Sequence, residues 1–312
     1  MKFANIAAAL LIAGAAMTPF HSGFASPNPE SRRAAAQNPD TMMPEASATR
    51  AKQILAQMLD AMGGQAYMRV REMQCSGRLS HFGHNNDLTS YLEFKDYWRY
   101  PDKNRTDYGK KGNIIDLFNG KEGWTMDHDG VSEEPADRVD EFTDQLMKDP
   151  EHLLRYRLKE EGMVYRYGGT DLIDLKPVDW VELVDRAERT YRIAVQRDNH
   201  LMVRFAVITR DSTSRERTEE VTSYANYHAL DGVQTALQVA RTRDGRRIFQ
   251  AFYDTCTYNP NLTPDFFTKA ALEQRFREVG SKADKKKAAK AKHDQKEVHS
   301  KNRSQFRARV VQ

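Results

Sequence analysis

Three observations predict a mainly β protein with some α content: a long antiparallel sheet curved into an unclosed barrel, with about three helices as plug or lid. Apolar residues alternate with polar ones at period two along most of the chain. Turn dipeptides (Asn119-Gly120, Asp129-Gly130, Asp231-Gly232, Asp244-Gly245) separate the alternating runs. No strand–helix–strand repeat is present, so neighbouring strands pair as antiparallel meanders.

The N-terminus reads as export machinery. Lys2 precedes the apolar run Ile6–Met17, and Gly23-Phe24-Ala25 supplies a small-x-small cleavage pattern, which assigns residues 1–25 to a bacterial signal peptide. The run is too short to span a bilayer. Residues 26–48, rich in Pro, Ala, Ser and Asn, read as a flexible leader. Residues 49–280 are long enough for one large domain. From Lys282 to Gln312 the chain carries 11 Lys/Arg against 3 Asp/Glu, so a slightly acidic body ends in a basic tail, residues 281–312, disordered or helical.

The body opens with an amphipathic helix, Ala48–Met62, whose stripe is Ala51, Ile54, Leu55, Met58, Leu59 and Met62; Gly63-Gly64 ends it. The period then changes to two. Strands are expected over Tyr67–Phe82, Thr89–Tyr100, Arg105–Tyr108, Ile114–Phe118 and Gly123–Met126. Val139, Phe142, Leu146 and Met147 return to helical spacing, and beyond Pro150 so do Leu153, Leu154 and Leu158, giving two short helices between strands. Seven further strands follow: Met163–Tyr167, Val178–Val184, Thr190–Val195, Leu201–Thr209, Glu216–Tyr227, Val233–Thr242 and Arg247–Tyr258. Asn259-Pro260 and Thr263-Pro264 turn the chain off the last of these, leaving Phe266-Phe267 either to plug an end of the curved sheet or to seal an ordinary β-core.

Catalytic and metal chemistry find little support. His81, His84 and Asp87 hold metal-ligand residue types but sit in a polar hairpin turn. Asp127-His128-Asp129-Gly130 lacks the alternating ligands and terminal Glu of a calcium loop and reads as a turn. Asp171, Asp174 and Asp179 crowd a turn-rich segment, where exposed carboxylates are the ordinary outcome. No nucleophile elbow, zinc-helix or phosphate-loop motif occurs. Cys75 and Cys256 admit two readings, a long-range disulfide or two buried thiols.

The stretches "TYRIAVQRDNHLMVRFAV" and "YANYHALDGVQTALQVARTRDGRRIFQAFYDTCTYNPNLTPDFF", with the Gly63-Gly64 helix end and the "DLFNGKEGWTMD" hairpin, resemble the bacterial periplasmic outer-membrane lipoprotein-sorting (LolA-like) carriers and their lipid-binding relatives. The likeness covers roughly residues 49–270 and lies in element order and turn chemistry. It implies a non-enzymatic periplasmic carrier that holds lipoprotein acyl chains or lipids, without a cofactor or metal, between sheet and helices. Taking the more apolar face of each strand and helix, the expected cavity residues are Leu92, Phe94, Trp98, Phe142, Leu146, Leu153, Leu154, Tyr191, Ile193, Val195, Val203 and Phe205. Expected partners are acyl chains and inner- or outer-membrane proteins, with residues 282–312 meeting an anionic membrane surface. Export makes nucleic acid an unsuitable partner. The alternative is an envelope sensor that docks a membrane-associated partner through a sheet edge or the tail.

Overall fold

The computed structural model describes residues 38–210 and 214–279. The expected signal peptide, most of the leader and the basic tail lie outside the described residues.

Helix α1 (Pro44–Ala61) begins at Pro44, four residues before the expected start, because proline suits the first helical turn and Ser47 is already buried there. The Ser47 hydroxyl accepts a hydrogen bond from Tyr167 N at 2.9 Å, tying the helix to a strand. Gly63 ends the helix at φ +125°, and a side chain there would strike Gly232 O at 2.4 Å. The chain then forms a helical turn, α2 (Gln65–Met68), where a strand was expected. Two successive left-handed glycines force this reversal, and it drives Tyr67 into the core.

The first meander is β1 (Glu72–Phe82), β2 (Leu88–Arg99), β3 (Lys103–Tyr108), β4 (Ile114–Asn119), β5 (Glu122–Met126) and β6 (Val131–Glu133). A helical excursion follows: α3 (Ala136–Lys148), α4 (Pro150–His152) and a π-helical turn, Leu153–Arg157. The second meander is β7 (Val164–Ile173), β8 (Lys176–Val184), β9 (Thr190–Gln196), β10 (Met202–Arg210), β11 (Arg217–Leu230), β12 (Val233–Arg243) and β13 (Arg246–Tyr258). All thirteen strands form one antiparallel sheet, ordered β6-β5-β4-β3-β2-β1-β13-β12-β11-β10-β9-β8-β7. The fold is the expected unclosed barrel. The strand beyond the twelve expected is β6, which completes the hairpin whose turn holds Asp127; its carboxylate accepts from the backbone N–H groups of Asp129 and Gly130. The β7–β8 hairpin is longer than expected because its turn, Asp174-Leu175, takes two left-handed residues without a glycine to mark it.

The two meanders pair in the sheet through β1 and β13, where Cys75 faces Cys256 and the two are disulfide-bonded across a sequence separation of 181. Closing so long a loop contributes about 3–5 kcal/mol. Beside it, Gly77 lies at a bulge where any side chain would meet Phe252 O at 2.1 Å.

One face of the sheet, the inner face, is turned to the helices. Ile54, Leu55 and Met58 of α1, with Leu153 and Leu154, pack onto Val181, Leu183, Tyr191, Ile193, Phe205 and Val207. Full burial of each such side chain contributes about 1.5–3 kcal/mol. On the opposite, outer face, the chain beyond β13 crosses β2–β5 and becomes helical over residues 269–279, designated α5. Leu272 of α5 completes a second core with Ile115, Leu117, Trp124 and Met126.

That path decides between the two readings of Phe266-Phe267. Phe266 meets Tyr97 in a tilted contact with ring centres 4.9 Å apart and Arg105 over its ring at 4.5 Å, and Arg99 lies over Phe267 at 5.1 Å. Tyr97, Arg99 and Arg105 point away from the helices, so the aromatic pair seals the outer face and plugs no cavity. A Glu72–Arg99 ion pair at 2.8 Å clamps the segment: Glu72 accepts from Leu262 N, and Arg99 donates to the Leu262 and Thr263 carbonyls.

Candidate ligand cavity

Strand alternation sets the remaining inner face. Phe94, Asp96 and Trp98 of β2 stand on it, and register carries the same side through Met73 and Cys75 of β1 to Tyr253 and Tyr258 of β13. It continues through Val239 and Arg241 of β12 to Thr222 and Tyr224 of β11. Helix α1 does not reach this part of the sheet. Instead α3 and α4 pass over it, leaving a cavity of about 270 Å³ beneath Asp149–Glu151. A second cavity, about 450 Å³, continues under α3 and shares Asp96, Trp98, Arg241, Phe249 and Tyr253 in its walls.

Contacts along its length join the cover to the sheet. Phe142 of α3 stacks on Phe118 at 4.5 Å and on Trp98 at 6.3 Å. Gln145 accepts a hydrogen bond from Arg241 at 3.3 Å, and Lys148 lies 3.7 Å from Glu220. At the end of α3, Arg157 Nη1 donates to Met147 O at 2.8 Å while Arg157 Nη2 reaches Asp185 at 2.9 Å. Tyr191 Oη lies 2.9 Å from both Met147 O and Asp185 Oδ2. Burial opposes ionisation of Asp185, but donors from Arg189 and Arg157 hold its carboxyl below the ordinary value. The cover therefore has one firm anchor, at its C-terminal end, and lighter contacts elsewhere.

The cavity is amphipathic. Met62, Met73, Met202, Val233 and Val239 give it apolar wall, and Tyr67, Tyr100, Tyr224, Tyr227, Tyr253 and Tyr258 give it aromatic wall. Its charged groups are Asp96, Asp149, Glu151 and Arg241. Asp96 accepts from Trp98 Nε1, Asn104 Nδ2 and Thr106 Oγ1, yet burial still raises its pKa. Asp149 caps α4 by accepting from His152 N at 2.9 Å. Burial first, and the Glu151 charge second, push the Asp149 carboxyl up to about 6.

The twelve expected cavity residues fall into four groups. Trp98 and Phe94 line the cavities, and Phe142 and Leu146 belong to the covering helix. Leu153, Leu154, Tyr191, Ile193, Val195 and Phe205 are on the inner face but form a close-packed core, with α1 and the π turn filling the space expected to be open. Val203 is on the outer face: a bulge between Met202 and Arg204 breaks the alternation, and Val203 packs beside Ile173, Val178 and Trp180. Leu92 pairs with Leu79 toward the end of β2 and borders neither cavity. Asp149, Glu151, Arg241 and the tyrosines went unselected, because a search for apolar positions passes over amphipathic walls.

The other candidate chemistry disperses. His81 Nδ1 bonds Ser90 at 2.9 Å, while His84 Nδ1 contacts Arg246 at 2.6 Å. Asp171 bonds Trp180 on the outer face, and Asp179 bonds Tyr167 on the inner one. Among the described residues no three His, Cys, Asp or Glu side chains converge as a metal site, and no helix is long and apolar enough to cross a membrane.

No family model and no curated protein matches the sequence. Among solved structures, a DUF1329 family protein from Desulfovibrio piger superposes with a TM-score of 0.52 at 12% identity, over 72% of this chain and 99% of that one. The two chains share a fold. A putative outer membrane lipoprotein-sorting protein domain from Vibrio parahaemolyticus follows at TM-score 0.47 and 11% identity, over 74% of this chain and 100% of that one. A LolA superfamily protein from Nitrosomonas europaea gives 0.46 and 12%, over 71% and 99%.

Proposed function

We propose that this chain is a non-enzymatic periplasmic carrier that holds an acyl-chain amphiphile, a lipid or a lipoprotein's lipid, between its half-barrel and the α3–α4 cover. The observation that carries the reading is the cavity pair itself: open space of about 270 and 450 Å³ on the inner face, beside the close-packed core under α1. These volumes lie near the range of small-molecule sites. Each methylene taken from water would contribute about 0.8 kcal/mol, so a chain along Trp98, Phe249 and Val239 needs few polar contacts. The cover supports the reading as well. Its sheet contacts away from Met147 include a stacked phenyl ring, a hydrogen bond and a long ion pair, which a ligand can displace without unfolding the core.

Native mass spectrometry of protein purified from a bacterial periplasm, followed by lipid extraction, tests this. Co-purifying acylated species are expected, together with uptake of a fluorescent fatty acid by delipidated protein. Protein that is lipid-free in every preparation and takes up no acyl probe would refute the reading.

A further inference from the structure

The cavity walls say more about the head of the ligand than about its chain. Carboxylates outnumber cations there, with Asp96, Asp149 and Glu151 against Arg241. Neighbouring cations are committed elsewhere. Lys148 pairs with Asp144 and Glu220, and Arg155 pairs with Glu151 at 2.7 Å. Arg241 bonds Gln145 and Thr222 and lies over Phe249. Asp149 therefore borders the cavity with no ion-pair partner among the described residues. Around it stand six tyrosines, Tyr67, Tyr100, Tyr224, Tyr227, Tyr253 and Tyr258. The Tyr67 hydroxyl is buried beside Glu151 without a well-aligned hydrogen-bond partner.

The wall already holds a cation by this chemistry. The Arg155 guanidinium lies 4.4 Å from the Tyr67 ring centre and 4.7 Å from that of Tyr100, with the Glu151 carboxylate beside it. Tyr224, Tyr227, Tyr253 and Tyr258 carry no such partner on the cavity side among the described residues. Aromatic faces with a nearby carboxylate attract ammonium groups, most strongly where water is excluded.

On the carrier reading given above, we propose that the cavity selects amphiphiles whose head carries an ammonium group, seated against Asp149 and the tyrosines of β11 and β13, with the chain running under α3. An anionic head would instead meet Asp149 and Asp96 beside Arg241, with Glu151 and Arg155 already paired.

The test uses the full chain and probes that share a twelve-carbon tail: dodecyltrimethylammonium, dodecanoate and uncharged monododecanoylglycerol, each below its micellar concentration, measured by calorimetry near pH 7.5. The trimethylammonium probe is expected to bind roughly tenfold more tightly than dodecanoate. Tetramethylammonium without a tail should show no binding, which separates a lipid head from a free small amine; tight binding of it would overturn the amphiphile assignment. The probe's charge is fixed, so loss of affinity between about pH 7.5 and pH 5 reports protonation of the wall. The groups facing Asp149 are Glu151 from α4, Arg155 from the π-helical turn, Arg241 from β12, Tyr224 from β11, Tyr253 from β13 and Tyr100 beyond β2. Of these, Asp149 is the one whose carboxyl is raised to about 6, inside that window. Asp149→Asn keeps the α4 cap and should reduce the preference to within about threefold. Tyr224→Phe should retain it and Tyr224→Leu should lower it. Equal affinities for all three heads, or tighter dodecanoate binding, would overturn the head assignment while leaving the carrier reading intact. Binding of none of them would overturn both.

Discussion

Asp149 holds two positions at once: its carboxylate caps α4, and it borders the cavity. Its pKa of about 6 stands above the ordinary 3.8, with burial the larger cause and Glu151 the second. A carboxyl raised on folding contributes stability that is fully present below the unfolded value and lost as pH rises through the folded one. The ionised group therefore costs the empty protein stability at neutral pH. Asp149→Asn, which can accept the same bond from His152 N, should raise the melting temperature near pH 7.5, by about 2 kcal/mol of stability. The gain should shrink through the window between 6 and 3.8 and vanish below it, as thermal unfolding at a series of pH values would show. No such role was legible beforehand, since sequence alone does not bring Asp149 to β11–β13. Trp98 and Phe94 were legible from alternation. Val203 was misplaced because a one-residue bulge reverses the facing of every residue before it, and nothing in "LMVRFAVITR" marks the bulge.

At the scale of elements, the helices were found by their period but not by their task. The stripe Ala51–Met62 was expected to face the sheet, and it does; that it fills the β7–β10 half and leaves the β11–β2 half to α3 depends on the pairing of distant strands. The α3 cover depends on its anchor. Arg157 is almost wholly buried and ties Met147 O, Tyr191 and Asp185 into one network. Arg157→Met retains much of the side-chain volume but leaves Asp185 with Arg189 as its remaining ion-pair partner. Removing one member of a buried pair costs about 3–5 kcal/mol, so the urea midpoint should fall strongly. Hydrogen exchange should rise first over Ala136–Lys148, because the helix loses the contact holding its last turn. Uniform loss of protection across the sheet would instead mean that the network serves the whole fold and not the cover.

At the scale of the molecule, two meanders joined at one strand pair give a sheet with two separate apolar faces. The order of strands within each meander could be read from turns and alternation. Which strands join the meanders could not, although the Cys75 and Cys256 readings included a bridge that would have fixed it. Which face Phe266-Phe267 seal is not legible in sequence, because the pair look alike whether they plug an inner cavity or seal an outer core. Two substitutions distinguish the faces. Phe267→Ala removes a side chain that is 1% exposed and lies under Arg99, and large-to-small changes at such sites cost about 3–5 kcal/mol. Because its contacts are on the outer face, the folded variant should bind the trimethylammonium probe with the affinity of the unaltered protein. Trp98→Ala, on the inner face and only partly buried, should cost less stability yet weaken binding, since the ring lines both cavities and supports Phe142. Paired chemical-denaturation and calorimetric measurements decide the matter. If Phe267→Ala weakened binding as much as Trp98→Ala, the two faces would not be independent, and the ligand would have to reach the outer core as well.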